Sequence, residues 1–293
     1  MLYKKNVEKS LKKELFKNPT SEFRGTPFWA LNSYLTKEEL CRQIDVFKEM
    51  GLGGFHLHVR TGLENEYLSE EYMELIKDTV IKAKSEEMLA WLYDEDRWPS
   101  GAAGGLVTKD EKYRSRCLFF TPFKEEKHSD IDDDWVNKKE NLIACYDVIL
   151  DSEGFLSSYK KINENDTVEG TKWYAFLELA NPSSWYNGQT YLDTLNSEAT
   201  KKFIEVTHEK YKDKVGDEFD KTIPAIFTDE PQFTRKAVLN NSFDKMNITM
   251  PWTDNVPELY KEMYGEDIFD TLPEIFWDKP NSAPSIHRYR YHD

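Results

Sequence analysis

The sequence predicts an α/β fold, a TIM-type (β/α) barrel left incomplete within this chain and carrying an antiparallel β insertion. Three observations lead there. Short apolar runs alternate with amphipathic stretches of about 15 residues, the order of parallel strands joined by crossover helices. The apolar runs end in polar or ionisable residues, as strands do where the loops of such a fold converge. A middle segment, about 107–180, holds β-like runs with no long helix between them.

Taken in order, residues 1–24 read as a helical segment. MLYKKNVEKSLKKELFKNP is charged and amphipathic, and Pro19 ends it. Residues 25–293 form the barrel region, which opens on the strand PFWALNS (27–33). In LTKEELCRQIDVFKEMG, Leu40, Ile44, Phe47 and Met50 recur at helical spacing, Thr36 is placed to cap and Gly51 to stop the helix. GGFHLHVR (53–60) alternates like a strand. Ser69 then caps the helix of YLSEEYMELIKDTVIKAKSEEM, and LAWLYDE (89–95) is a third strand.

The insertion follows, with RCLFFTPF, NLIACYDVILD and KWYAFLELA as its β-like runs. The α/β order resumes at TYLDTL (190–195), continues through the helix SEATKKFIEVTHEKYKDKVG, and reaches a strand in TIPAIFTDEPQF (222–233). MPWTDNVPELYKEMYGEDIFDTLPEIFWD reads as short helices. The candidate barrel strands are 27–33, 53–59, 89–95, 190–195 and 223–229. A closed barrel of this kind needs eight, so either the architecture is smaller than a full barrel or, the expectation favoured here, the chain is the front part of a longer protein.

The net charge of −15 opposes a nucleic-acid backbone or an anionic membrane as partner, because both demand clustered Lys and Arg. Aromatic residues make up 14% of the chain, with 8 Trp and 16 Tyr, a supply of rings suited to stacking on sugar faces. Cys41, Cys117 and Cys145 are scattered without CxxC or CxH spacing, so neither a disulfide framework nor a zinc site is indicated. No signal-peptide core or membrane-length apolar run is present, and the expected setting is cytoplasmic.

The strand ends collect the candidate chemistry: Asn32, then His56, His58 and Arg60, then Asp94 to Trp98, then Asp193, then Asp229 and Glu230. In FTDEP an apolar strand carries two carboxylates at its lip. Glycoside hydrolysis needs such acids, one to protonate the leaving oxygen and one to act as nucleophile or to activate water. Glu230 is the first candidate and Asp229 the second; a helix N-cap with a first-turn acid is the structural alternative.

In WLYDEDRWPSGAAGG, the carboxylates Asp94, Glu95 and Asp96 with Arg97 suit sugar hydroxyls, and Trp98 suits a pyranose face. An internal Arg97–Asp ion pair at a corner is the alternative. His56 and His58 share a strand face with Arg60 and offer sugar contacts, core filling or a metal-binding pair. Asn32 and Trp29 could line the same rim, Trp29 equally the core. Asp193 could orient a substrate or cap the next helix, and NPSSWYNGQ (181–189) reads as a surface loop or a cover.

With these residues in view, the chain resembles bacterial glycoside hydrolases with a (β/α)8 catalytic barrel, relatives of the α-L-rhamnosidases of glycoside hydrolase family 106. The segments that carry the likeness are PFWALNSYLTKEELCRQIDVFKEMGLGGFHLHVRTGL, WLYDEDRWPSGAAGG and IFTDEPQF, over roughly residues 25–293. The resemblance implies a glycosidase acting on an oligosaccharide or glycoside of plant or microbial origin. It matches Glu230 to the family's middle-strand carboxylate and expects a second acid on a later strand. It implies no obligatory cofactor; calcium, used by some relatives, has no ligand set on these residues. Two other readings stay open: a metal-dependent barrel hydrolase using His56 and His58, and a non-catalytic carbohydrate-binding part of a larger enzyme.

Overall fold

The computed structural model describes residues 9–124 and 141–293. The chain divides into two compact units. One comprises the chain up to Lys112 with Ser184–Leu192 and Ser197–Gln232; the other comprises Tyr113–Ser183, Asp193–Asn196 and Phe233–Asp293. The protein is mixed α/β, with a parallel sheet in the first unit and an antiparallel sheet in the second.

In the first unit β1 (Phe28–Leu31), β2 (Gly54–Val59), β3 (Leu89–Tyr93) and β8 (Ile226–Phe227) lie in that order, all parallel. One face of this sheet is apolar: Trp29, Leu31, Phe55, Leu57, Ala90 and Leu92 are buried. The helices α2 (Lys37–Glu49) and α3 (Glu70–Ser85) supply Leu40, Ile44, Met73, Ile76 and Val80 to the core. The Trp29 ring packs edge-on against Phe47 and Phe55, with centroids 5.1 and 5.0 Å away, so it is a core residue. Thr36 and Ser69 cap the two helices as their positions predict, accepting from the backbone N–H of Glu39 and Tyr72. A third helical run joins α4 (Ser197–Ile204), a π turn at Glu205–Glu209 and α5 (Lys210–Val215).

Period-two alternation turns the opposite face over to rings. Phe28 pairs in register with His56, His56 with Trp91, and Tyr93 with Phe227, which sets these side chains beside one another. His56 stacks on Trp91 at 4.9 Å and His58 on Tyr93 at 4.1 Å between centroids.

The second unit holds β4 (Arg116–Thr121), β5 (Leu142–Leu150), β6 (Leu156–Ile162), β7 (Thr171–Leu179) and β9 (Ile248–Trp252) in the order β6-β5-β7-β4-β9, antiparallel throughout. Its core joins Leu118, Phe120, Tyr146, Trp173 and Met250 to residues of α6 (Val256–Tyr264), α7 (Ile268–Thr271) and α8 (Pro273–Phe276). The chain then forms α9 (Ile286–His292).

Several expectations need correction. Among the described residues the parallel sheet has four strands and no closed barrel. TYLDTL (190–195) is not a strand: β3 pairs directly with β8, which takes the sheet position expected for it. The strand expected over 223–229 shrinks to Ile226–Phe227, because the chain leaves the ladder to hydrogen-bond a loop. MPW, expected in a helix, lies in β9 and pairs with β4. The first helix is α1 (Lys13–Lys17), five residues long, and residues 1–8 lie outside the described part. No described helix is long and apolar enough to cross a membrane.

The entry to β2 has no room for a side chain. A Cβ on Gly54 would stand 2.2 Å from the Leu89 carbonyl oxygen, an atom the sheet holds in place. Gly54→Ala is therefore expected to destabilise the protein by about 1–3 kcal/mol through overpacking, read as a lower urea midpoint. Gly188→Ala meets no neighbour within 4 Å and pays only for its positive φ of 78°, so its midpoint should fall less.

Candidate functional site

The geometry around Asp94–Trp98 and Asp229–Glu230 lies within the first unit. At the C-terminal end of β3 the chain delivers Asp94 and Glu95 into the interior, both essentially inaccessible. Asp94 Oδ1 accepts from Ser100 Oγ at 2.6 Å and Oδ2 from Thr228 Oγ1 at 2.5 Å. His208, carried by the π turn, brings its Nε2 to 3.4 Å from the same Oδ2. Burial raises the Asp94 carboxyl above its ordinary range, and the two hydroxyl donors oppose the rise.

Glu95 is the keystone of the loop that follows. Its Oε1 accepts from the backbone N–H of Asp96 and Gly104, and its Oε2 from those of Gly101 and Ala103. Four main-chain donors thus converge on one side chain. Gly101, Ala103 and Gly104 all have positive φ, a conformation that lets successive N–H groups turn inward. Burial pushes the Glu95 carboxyl up to about 7 against those four donors.

With its base tied down, the loop presents its outer residues. Arg97 donates to the carbonyl of Ser184 at 3.1 Å and to Asn187 Oδ1 at 2.9 Å, and its Nε lies 3.3 Å from Asp96. Asn187 returns a bond to Asp96 Oδ2 at 3.0 Å. The 184–187 turn is thereby bound to the corner, and Trp185 donates its indole N–H to the Trp98 carbonyl at 2.5 Å. The Trp98 and Trp185 side chains remain 37% and 41% exposed, so each keeps ring surface open to solvent.

The corner meets the segment after β8. Ser100 N–H donates to the Asp229 carbonyl at 2.8 Å, and Asp229 N–H donates to Ser100 Oγ at 2.9 Å. Tyr191 adds a brace, donating to the Ser100 carbonyl and accepting from Gln232 N–H. Glu230 then takes a positive φ of 43°, rare for a residue with a side chain. Its carboxylate accepts from Trp98 Nε1 at 3.0 Å, across 132 residues of sequence.

Asp229 points to the ring-lined sheet face, where its Oδ2 is 3.8 Å from His58 Nε2. Burial, and then Arg60, hold the His58 imidazole below its usual pKa while Asp229 pulls it upward. Burial also lowers His56.

The structure therefore brings together Asp94, Glu95, Asp96, Arg97, Trp98, Asp229, Glu230 and His58. His56 is half-buried against Trp91 further down β2, and Asn32 and Arg60 are exposed at the ends of β1 and β2. Glu95 does not present a sugar contact: both of its oxygens are filled by backbone. Asp96 and Arg97 form the internal pair that the sequence left open. Asp193 belongs to the second unit, where its carboxylate accepts from Thr253 Oγ1 and, closing an Asx turn, from Leu195 N–H. Among the described residues no group of three or more His, Cys, Asp or Glu could hold a metal ion, and His56 and His58 spend their faces on ring stacking. Sequence reasoning missed Ser100, Thr228, Tyr191 and His208. Nothing local in the sequence marks these four; the neighbouring aromatic turn SSWYN (183–187) does carry a signal in its rings.

No family model matches this chain, and no curated protein does. Among solved structures it is similar to a rhamnosidase from Novosphingobium sp. PP1Y, at 11% identity and a TM-score of 0.45, over 89% of this chain. The chain spans 42% of that protein's length.

Because folding raises the Glu95 pKa from about 4.5 to about 7, its contribution to stability is full below about pH 4.5 and is lost as pH rises through about 7. The stability of the wild type relative to Glu95→Gln should accordingly fall by up to about 3 kcal/mol between those limits. Urea melts of both proteins across the range measure it; a constant difference would contradict the assignment.

Proposed function

We propose that the first unit binds a saccharide against Trp98 and Trp185 and hydrolyses a glycosidic bond with Glu230. The observation that carries the reading is the Trp98 Nε1–Glu230 Oε2 hydrogen bond at 3.0 Å, which joins an exposed indole to a carboxylate at the end of a parallel sheet. Sugar recognition asks for that pairing: an apolar ring under the C–H face and a carboxylate within reach of the reacting oxygen. Glu230 is the general acid or base of the reaction, placed at the lip of the sheet. Its positive φ is strain of the kind that clusters at working residues. Asp229, facing His58, orients that side of the site and is the second acid of the pair.

The resemblance to the rhamnosidases of glycoside hydrolase family 106 supports this reading and gives the class of substrate as an oligosaccharide or glycoside. The metal-dependent alternative rests on the His56–His58 pair alone, since among the described residues no group of three or more His, Cys, Asp or Glu could hold a metal ion.

A panel of aryl glycosides tests the proposal. Glu230→Gln should cost about 10²–10⁴ in kcat/KM while leaving ligand affinity within a few-fold. Trp98→Ala should weaken binding about tenfold or more. Glycan binding with no hydrolysis by the wild type would instead favour a non-catalytic binding role, and wild-type activity in Glu230→Gln would overturn the catalytic assignment.

A further inference from the structure

The second unit contains a feature that the glycoside reading does not use. A cavity of about 400 Å³ lies between the 236–242 segment and the Ile275–Asp278 turn, and Arg288 of α9 reaches it. Its wall mixes apolar surface, from Phe155, Val238 and Trp277, with two cationic side chains, Lys236 and Arg288. One acid lines it, Asp278, and Arg288 Nη1 already holds that carboxylate at 2.7 Å.

The donors left over are specific. Arg288 Nε is spent on the Ile275 carbonyl, and Nη2 has no hydrogen bond among the described residues. Lys236 makes no ion pair among the described residues, and its ammonium lies 3.2 Å from His292 Nε2. Lysine only donates, so this imidazole accepts and is neutral at that nitrogen, which leaves Lys236 further N–H bonds to give. Two cations thus face one cavity with a single, already paired acid, in a chain whose net charge is −15.

We propose that this cavity binds a monosaccharide-sized oxyanion, a uronate carboxylate or a sugar phosphate, with Lys236 and the free edge of Arg288 as its charge partners. The shared chemistry is an anionic oxygen cluster on a compact body. Guanidinium and ammonium meet the oxygens, while Trp277, Phe155 and Val238 cover the body. Burial and the nearby Arg288 hold the Lys236 pKa below its usual value, a direction that a bound anion would reverse. The same pair of causes, with Lys236 added, keeps His292 low. No residue of the first unit enters, so this inference stands or falls apart from the glycosidase reading.

Isothermal titration of the full chain tests it, with glucuronate, glucose 6-phosphate, inorganic phosphate and glucose as separate probes. At least one anionic sugar should bind saturably and glucose should not. Lys236→Gln should weaken that binding at least tenfold, and Lys236→Arg should keep it within a few-fold. Lys236 is exposed, so the variants should melt with the wild type, which the same samples report. Glucuronate binding without glucose 6-phosphate binding assigns a carboxylate ligand, and the converse a phosphate. No saturable binding by any anion, or equal affinity in Lys236→Gln, would overturn the proposal.

Discussion

The corner of the first unit depends on one buried carboxylate accepting four backbone hydrogen bonds. Glu95 replaces the water that the N–H groups of Asp96, Gly101, Ala103 and Gly104 would otherwise need. Without it the loop would leave several buried donors unpaired, each costing about 1–3 kcal/mol. With it, a glycine-rich turn of little intrinsic order becomes a fixed platform. Everything presented by that platform, Ser100 toward Asp229 and Trp98 toward Glu230, inherits its position.

Asp94 does a different job one residue earlier. Its oxygens accept hydroxyl hydrogen bonds from Ser100 and Thr228, so it ties the loop to the segment after β8 that bears Asp229 and Glu230. Adjacent like charges are thereby kept apart: one carboxylate serves the loop's interior and the other the junction with β8. Asp96, also buried, turns to Asn187 and Arg97. The three consecutive acids serve three separate sets of donors, which is how the fold tolerates them side by side.

Much of this was legible in the sequence. Helical spacing and capping residues located α2 and α3, alternation located β2 and a short apolar run β3, because these signals are local. The end of the parallel sheet was not. TYLDTL has strand composition, yet Tyr191 is spent on bracing Ser100 and Gln232, and Asp193 on closing a turn in the second unit. MPW has no periodicity that would mark it as a strand, and only its pairing with β4 makes it one. At the site, the residues that sequence singled out at 94–98 and 229–230 do meet. What they do there was harder to foresee, since whether a carboxylate faces ligand or backbone depends on where distant N–H groups arrive. Ser100 and Tyr191 were invisible for the same reason: a hydroxyl's partners are chosen by the fold.

The most direct test is the indole N–H of Trp98, followed by two-dimensional nitrogen–proton NMR and assigned by its loss in Trp98→Phe. If the Glu95-tied loop holds Trp98 on Glu230, solvent exchange of that proton should be slow in the wild type. It should quicken in both Glu230→Ala and Glu95→Ala, the second without touching either partner. Equal exchange in all three proteins would contradict the account.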